Sequence, residues 1–203
     1  LMTATPFITK RFMRINSNTI NINNYPLLTE LENNSIERCA RKRQVCYVGG
    51  LGVLRGSEQL LQAADLINGA LVIAGPLSPK ELEHRVLEHA SIDYKGFLNR
   101  NAVKELLGDS VAGIVTFLPE PNHINAQPNK MFEYMSAGIP VICSDFPLWR
   151  SIIEKHDCGI CVNPENSREI AEAINYLLDH PEIAERMGRN GRQAVETEYN
   201  WEH

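Results

Sequence analysis

Two stretches of this chain hold residue types suited to an anionic, hydroxyl-rich ligand. The first is Gly49-Gly50-Leu51-Gly52-Val53-Leu54-Arg55-Gly56. Small residues let a backbone approach a ligand closely, and the Arg55 guanidinium offers phosphate oxygens a planar fork of donors. The second is PNKMFEYMSAGIPVICSD at positions 128–145, preceded by Asn122-His123-Ile124-Asn125-Ala126-Gln127. Pro128 suits the first position of a helix, where its missing N–H is no loss. The free amides of that first turn, with roughly half a positive charge from the helix dipole, form an anion site. Glu133 follows just over one turn inside a helix that Met131, Met135 and Ala137 mark as largely buried. A buried carboxylate needs a partner. Two sugar hydroxyls would supply two donors; a salt bridge or an exposed helix face is the plainer alternative.

Other chemistries fit these residues less well. Gly50-x-Gly52 resembles the opening of a dinucleotide fingerprint, but Arg55 stands where the third glycine belongs. The next strand ends in Gly75-Pro76 without the acidic residue that would hold a ribose. A glycine turn with a structural role alone is the remaining alternative for that loop. Cys158 and Cys161 form a C-x-x-C that has neither the helix N-terminus needed for redox work nor a second pair for zinc, so they read as structural. Cys143 and Asp145 read as a core thiol and a cap for the helix opening at Pro147. His123 reads as a bystander, and Trp149-Arg150 as packing without an assigned role.

The scaffold around these residues is bounded by composition. The chain has 203 residues, 43% hydrophobic and 22% charged, which suits one large domain or one domain with a fragment of another. Such a composition excludes collagen-like, disordered and disulfide-scaffold classes. No apolar run reaches the ~18–20 residues that span a bilayer. The start lacks the layout of a secretory signal, and Leu1 in place of Met suggests a piece of something longer. Five cysteines, an odd number, read as reduced thiols in a cytoplasmic compartment. The net charge of −5 argues against nucleic acid as a partner. It is unevenly spread: residues 1–43 carry seven Lys/Arg against three Glu, a net +4 that leaves −9 for the rest. That basic segment could face anionic lipid or a phosphate-bearing substrate, or be an ordinary solvated surface.

Along the chain, Thr5-Pro6 opens a short helix, an asparagine-rich strand or linker follows through Ile20 and Ile22, and residues 30–43 read as a polar connector or surface helix. From Gln44 the pattern becomes strand-then-helix. Strands are expected at 45–48, 70–74, 92–97, 114–118, 141–144 and 159–162. Ser57 is expected to cap one helix and Ser78, with Glu81, to form a capping box for the next. Further helices are expected through Val103 and Leu107, over 129–137, over 148–154, and over 167–178 and 181–197. Short continuous apolar strands alternating with helices mean an α/β domain with a doubly wound parallel sheet, over about 44–195. Ligands on such sheets sit at the carboxyl ends of the strands, at the topological switch.

The order and spacing of these pieces resemble a known family. A strand followed by GG-x4-RG and a helix, then Tyr94-Lys95-Gly96-Phe97-Leu98, then FEYMSAGIPVI, is similar to the C-terminal, Rossmann-like half of GT-B glycosyltransferases, and more narrowly to family 4 retaining glycosyltransferases. The resemblance covers 44–201. It implies that residues 1–43 are the end of a preceding domain plus a linker, and that 44–203 are the donor-binding domain, with Tyr199-Asn200-Trp201-Glu202 where the last helix crosses back. It implies a donor site of Gly50, Arg55, Phe97, Leu98, Asn125, Gln127, Asn129, Lys130 and Glu133. Glu133 matches the glutamate that binds the donor ribose, and Gly96–Leu98 the loop that receives the base. Two positions depart from the pattern. Asn125 stands where a second glutamate contacts the sugar, and Gly50 where an arginine of the phosphate clamp is usual, with Arg55 in place of its lysine. Lys130 either compensates or is a solvated lysine.

The implied activity is transfer of a sugar from a nucleotide diphosphate donor, UDP by default and GDP second, to a glycan or lipid-linked acceptor. It would proceed with retention, without a metal and without an enzymic nucleophile. The acceptor side would lie on the missing domain, so the catalytic residues there stay unknown and this piece alone should bind nucleotide yet transfer little. Polysaccharide or cell-envelope glycan assembly is the implied setting, in the cytoplasm or at the inner face of the membrane through peripheral association. A nucleotide-sugar epimerase and a non-catalytic sugar-nucleotide sensor are the competing readings. The donor-site reading expects the amides of the 128–137 helix, Arg55 and Glu133 to converge on one pocket, and the transferase interpretation falls if they lie on separate surfaces with no shared hollow.

Overall fold

Runs such as Val45-Cys46-Tyr47 have no polar face to show to water, so the sheet they build must be covered on both sides. The computed structural model describes residues 1–27 and 41–201, so most of the polar stretch at 30–43, and Glu202, lie outside the described residues. At the start, β1 (Met2–Thr3), α1 (Pro6–Phe12) and β2 (Ile20–Asn21) make a small unit whose strands pair in parallel. Thr5 caps α1, its Oγ1 accepting from the Ile8 N–H at 3.3 Å.

The main body runs β3 (Gln44–Val48), β4 (Leu51–Gly52), α2 (Ser57–Ala64), β5 (Ala70–Ala74), β6 (Leu77–Ser78), α3 (Lys80–Glu88) and β7 (Ile92–Tyr94). It continues through α4 (Arg100–Asp109), β8 (Ala112–Val115), α5 (Pro121–Ile124), α6 (Asn129–Ser136), β9 (Val141–Ser144) and α7 (Pro147–His156). β10 (Gly159–Val162), α8 (Ser167–Asp179) and α9 (Pro181–Thr197) complete it. The six-stranded sheet has the order β10-β9-β8-β3-β5-β7, with every pairing parallel. Side chains from α4, α6, α7 and α9 fill one face and those from α2, α3 and α8 the other. The chain starts in the middle at β3, builds outward through β5 to β7, then returns to β8 on the other side. The topological switch is therefore the crevice between the carboxyl ends of β3 and β8.

Several local expectations need correction. Ser57 does not cap α2. The helix enters from Gly56, and Ser57 is its first residue, its Oγ buried without a partner. Gly56 holds φ +76°, and a Cβ there would lie 2.3 Å from the Thr116 carbonyl oxygen, so the residue must be glycine. Ser78 is no cap either; it is drawn into β6, paired with β4, and Pro79 becomes the N-cap of α3. Asp145 does not cap α7, which Phe146 precedes; instead it accepts from Arg150 Nε at 2.6 Å. Pro128 is the N-cap of α6 and not its first residue, its carbonyl accepting from Met131 N–H at 3.0 Å. β7 ends at Tyr94, short of 97, because the chain turns away and Gly96 O accepts from Gly75 N–H at 2.7 Å. β8 ends at Val115, short of 118, where Phe117 O is claimed by Ser144 Oγ at 2.7 Å.

The C-x-x-C is split by the strand it enters. Cys161 on β10 faces Cys143 on β9, Sγ to Sγ 3.8 Å, while Cys158 is buried in the preceding turn. On the side of α6 away from the sheet, Tyr25 packs edge-on against Phe132 and Tyr199, which are tilted against each other, with ring centroids 5.0–5.6 Å apart. This cluster ties residues just after β2 and just after α9 to one helix.

Candidate functional site

The loops that follow β3 and β8 frame the switch-point crevice, and α6 is the next element after the β8 loop. Tyr134 locks α6 in place. Its hydroxyl inserts where β3 and β8 diverge, accepting from Val48 N–H at 2.9 Å and donating to Ile114 O at 3.3 Å. Trp149 holds the incoming loop; it is fully buried and its Nε1 donates to Ala126 O at 2.7 Å. Tyr134→Phe would orphan the Val48 amide at the rim of the crevice, at an expected cost of about 1–3 kcal/mol, readable as a lower urea midpoint at unchanged slope. A midpoint equal to wild type would mean that water or backbone replaces the hydroxyl.

With α6 fixed, Lys130 points inward. It is only 9% exposed, and its Nζ has no hydrogen-bond partner among the described residues. That Nζ lies 3.7 Å from the centroid of the Tyr47 ring and 5.6 Å from that of Phe117. It presses on Gly49, at φ +108°, where a Cβ would sit 3.3 Å from it. Burial drives the Lys130 pKa down to about 7, and the nearby Arg55 adds to the drop, against the opposing pull of Glu133 and Cys46. The solvated-lysine alternative does not hold.

Arg55 reaches the same aromatic ring from the other loop, its Cζ 5.4 Å from the Phe117 centroid. Its Nη1 donates to Gly50 O at 2.8 Å, an oxygen that also accepts from Tyr47 Oη at 2.9 Å. The backbone carbonyl of Gly50 thus tethers the Arg55 guanidinium. Glu133, one turn beyond Lys130, is 21% exposed and paired with Arg100, Oε1 to Nη1 at 2.8 Å. Arg100 opens α4 two residues after Leu98, so this pair joins α6 to the 96–98 loop. In that loop Phe97 is 81% exposed, while Leu98 packs on the core. Asn129 is exposed, Asn125 caps the far end of α5, and the buried Gln127 Oε1 lacks a partner.

Among the hollows formed by the described residues, Arg55 and Glu133 line two different ones. Arg55 lines a hollow of about 640 Å³ with Gly50, Leu54, Pro76 and Pro79. Glu133 lines another of about 310 Å³ with Arg100, Asn129, Tyr25 and Trp201. The cause is local pairing: Arg55 is folded back on Gly50, and Arg100 closes on Glu133. Lys130 links the two, one helical turn from Glu133 and beside the same ring as Arg55. Among the described residues there is no group of three or more His, Cys, Asp or Glu placed to hold a metal ion. Residue types alone did not mark Tyr47, Phe117, Trp149, Tyr134 or Arg100, whose part depends on contacts between distant segments.

A chain with this sheet and crevice has the α/β fold that forms one half of GT-B glycosyltransferases. Residues 30–194 match the family described as glycosyl transferases group 1, and the chain belongs to that family. An uncharacterized glycosyltransferase of Methanocaldococcus jannaschii is 27% identical over 170 residues, covering 80% of this chain and 42% of that protein. The capsular polysaccharide biosynthesis glycosyltransferase CapM of Staphylococcus aureus is 26% identical over 187 residues, covering 84% and 47%. The chain thus spans less than half the length of these relatives. Two solved structures share the fold. The C-terminal domain of the group 1 glycosyl transferase LpcC from Francisella tularensis superposes with a TM-score of 0.64 at 20% identity, covering 79% of this chain and 88% of that one. Anabaena HepE in complex with UDP and glucose superposes at 0.76 with 17% identity, covering 98% and 58%. Fold, family and the match to a C-terminal domain agree with the resemblance read from the sequence.

Proposed function

We propose that residues 44–203 bind the nucleotide-sugar donor of a retaining glycosyltransferase, and that residues 1–43 belong to the end of a preceding acceptor-side domain and its linker. The observation that carries this is the charge at the switch point: Arg55 and Lys130 stand beside one ring, Phe117, with Glu133 a turn further on. In the reaction the bond between the anomeric carbon and the diphosphate breaks, so negative charge grows on the leaving group and positive character on the sugar. Arg55, Lys130 and the first amides of α6 would meet that growing negative charge, Arg55 held by its bond to Gly50 and Lys130 from a poorly hydrated position. The acceptor hydroxyl attacks from the face the diphosphate leaves, and the departing phosphate takes its proton, so configuration is retained.

Glu133, released from Arg100, would accept from the ribose hydroxyls, and the 96–98 loop, with Phe97 and Leu98, would receive the base. Asn125, Gln127 and Asn129 would contribute neutral hydrogen bonds, and Gly50 its close backbone. UDP is the first donor to test, in keeping with the HepE complex, and GDP the second. A glycan or lipid-linked acceptor in polysaccharide or envelope assembly fits the CapM relationship, and a cytoplasmic site at the inner membrane face fits such an acceptor.

The test is calorimetry of nucleoside diphosphates and sugar nucleotides on this chain, repeated with Glu133→Ala and Arg55→Ala. Glu133→Ala should weaken binding by about 1–3 kcal/mol, roughly five- to 150-fold, by unpairing ribose hydroxyls. Wild-type affinity in both variants would contradict the site.

A further inference from the structure

We propose that Lys130 is the second cation of the diphosphate subsite, taking over from inside the fold the role that Gly50 cannot fill, and that it becomes fully charged by proton uptake when the diphosphate arrives. This rests on the donor reading above and specifies its phosphate end.

The geometry is that of a cation held in reserve. A surface lysine keeps its ammonium in water, and a buried one is normally paired. Lys130 Nζ has neither: nine-tenths of the residue is buried, the ammonium lies on the face of Tyr47, and it fills the space that a Cβ at Gly49 would approach. The aromatic face favours a cation but is a weak substitute for lost hydration. Its donors remain unspent just beneath the surface, between the hollow lined by Arg55 and the one lined by Glu133, one helical turn from Glu133. A diphosphate at the switch point would have to draw the ammonium outward to reach it. Position 50 strengthens the case. Gly50 brings no charge of its own, and a Cβ there would lie 3.1 Å from Arg55 Nη1, so a larger residue at 50 would displace the guanidinium slightly. The second charge must come from elsewhere, and Lys130 is beside the same Phe117 ring.

The groups facing Lys130 determine its titration. Arg55 approaches from the β3 loop and opposes its charge, and Glu133 on α6 itself favours it but is shared with Arg100. From β3, Cys46 and Tyr47 are both pushed up by burial and stay neutral, as does Tyr134 on α6. His123 lies across Phe117, ring centroids 4.9 Å apart. With its pKa near 7 in the empty site, Lys130 is about half charged at neutral pH. A diphosphate next to it raises that pKa, so binding draws in a proton. Affinity must then fall as pH rises above 7, by up to about tenfold per unit, until the raised pKa is passed.

The experiment is calorimetric titration of the chain with UDP at pH 8 in buffers of different ionisation enthalpy. At that pH a terminal phosphate is already ionised, its second pKa being about 6. Wild type should take up close to one proton per UDP. Lys130→Met should take up none and bind UDP at least tenfold more weakly, while binding of uridine, which has no phosphate, is unchanged. Lys130→Arg, always charged, should bind without proton uptake. Inorganic pyrophosphate should reproduce the proton uptake and show that the diphosphate alone triggers it. UDP binding to wild type with no more proton uptake than Lys130→Met, or unchanged affinity in that variant, would overturn this proposal alone. Failure of every nucleoside diphosphate to bind would overturn the donor reading and this proposal with it.

Discussion

Lys130→Met should melt several degrees higher than wild type at pH 6 in the absence of ligand, even though it binds diphosphate poorly. The folded protein holds the Lys130 pKa near 7, against an unfolded value of about 10.4. Between those values the unfolded chain binds more protons, so wild-type stability rises with pH across the window and the penalty is fully present below pH 7. At 1.36 kcal/mol per unit the ceiling is about 5 kcal/mol. Relaxation around the site leaves on the order of 2–4 kcal/mol to be recovered. Methionine has nearly the same length and no charge, and it fits against Tyr47 and Phe117 as the lysine stem does. For a chain of this size the gain corresponds to about 5–10 °C. Melting curves of both proteins at pH 6 and pH 9.5 check it: the difference should be large at the first and small at the second. A variant less stable than wild type at both would show that the ammonium is solvated or paired. Stability surrendered for an unpaired charge is a cost that binding sites commonly carry.

Gly188→Ala should destabilise the protein by about 2–4 kcal/mol, although alanine is the better helix former by about 1 kcal/mol. Gly188 lies within α9, and a Cβ there would come 2.2 Å from the Gly138 carbonyl oxygen and 2.8 Å from its carbon. That is backbone at the end of α6, which cannot swing aside like a side chain, so α9 itself must shift. Gly191 supplies the control, since a Cβ there meets Met135 Cγ at 3.3 Å and Cys158 Cβ and Met135 Cα at 3.4 Å, all near ordinary contact, and needs only a small adjustment. Gly191→Ala should therefore change stability by less than about 1 kcal/mol. The shift in Gly188→Ala also reaches the site, because Arg192 Nη1 donates to Ser136 O at 2.7 Å and closes the end of the helix bearing Lys130 and Glu133. Urea titration of both variants distinguishes them. Equal midpoints for Gly188→Ala and wild type would mean that the two helices are further apart than this packing requires.

The sequence was most informative where periodicity and local punctuation decide structure. β5, β9 and β10 fall at the expected residues, and α6, α8 and α9 within one residue of theirs, because glycine, proline and apolar runs bound them. It was least informative where a competing partner comes from far away. Ser57 and Ser78 have the right type to cap, but Gly56 at Thr116 and the pairing of β4 with β6 take those positions over. Glu133 reads as a carboxylate in search of donors, and its partner, Arg100, lies 33 residues earlier on another helix. The single pocket expected around Arg55 and Glu133 is divided by two such pairings. Lys130 is the sharpest case. Nothing local separates it from a surface lysine; its burial arises because Tyr47, Phe117 and Gly49 converge from β3 and the β8 loop. The family assignment stands independently of that division.

The aromatic trio on the outer side of α6 has a mechanical consequence. Tyr25 and Tyr199 both rest on Phe132, so the segment entering the domain and the segment leaving it are moored to the same post. Phe132 precedes Glu133 directly. A pull on either strand of chain is thereby delivered, through a single side chain, to the residue that would hold the ribose.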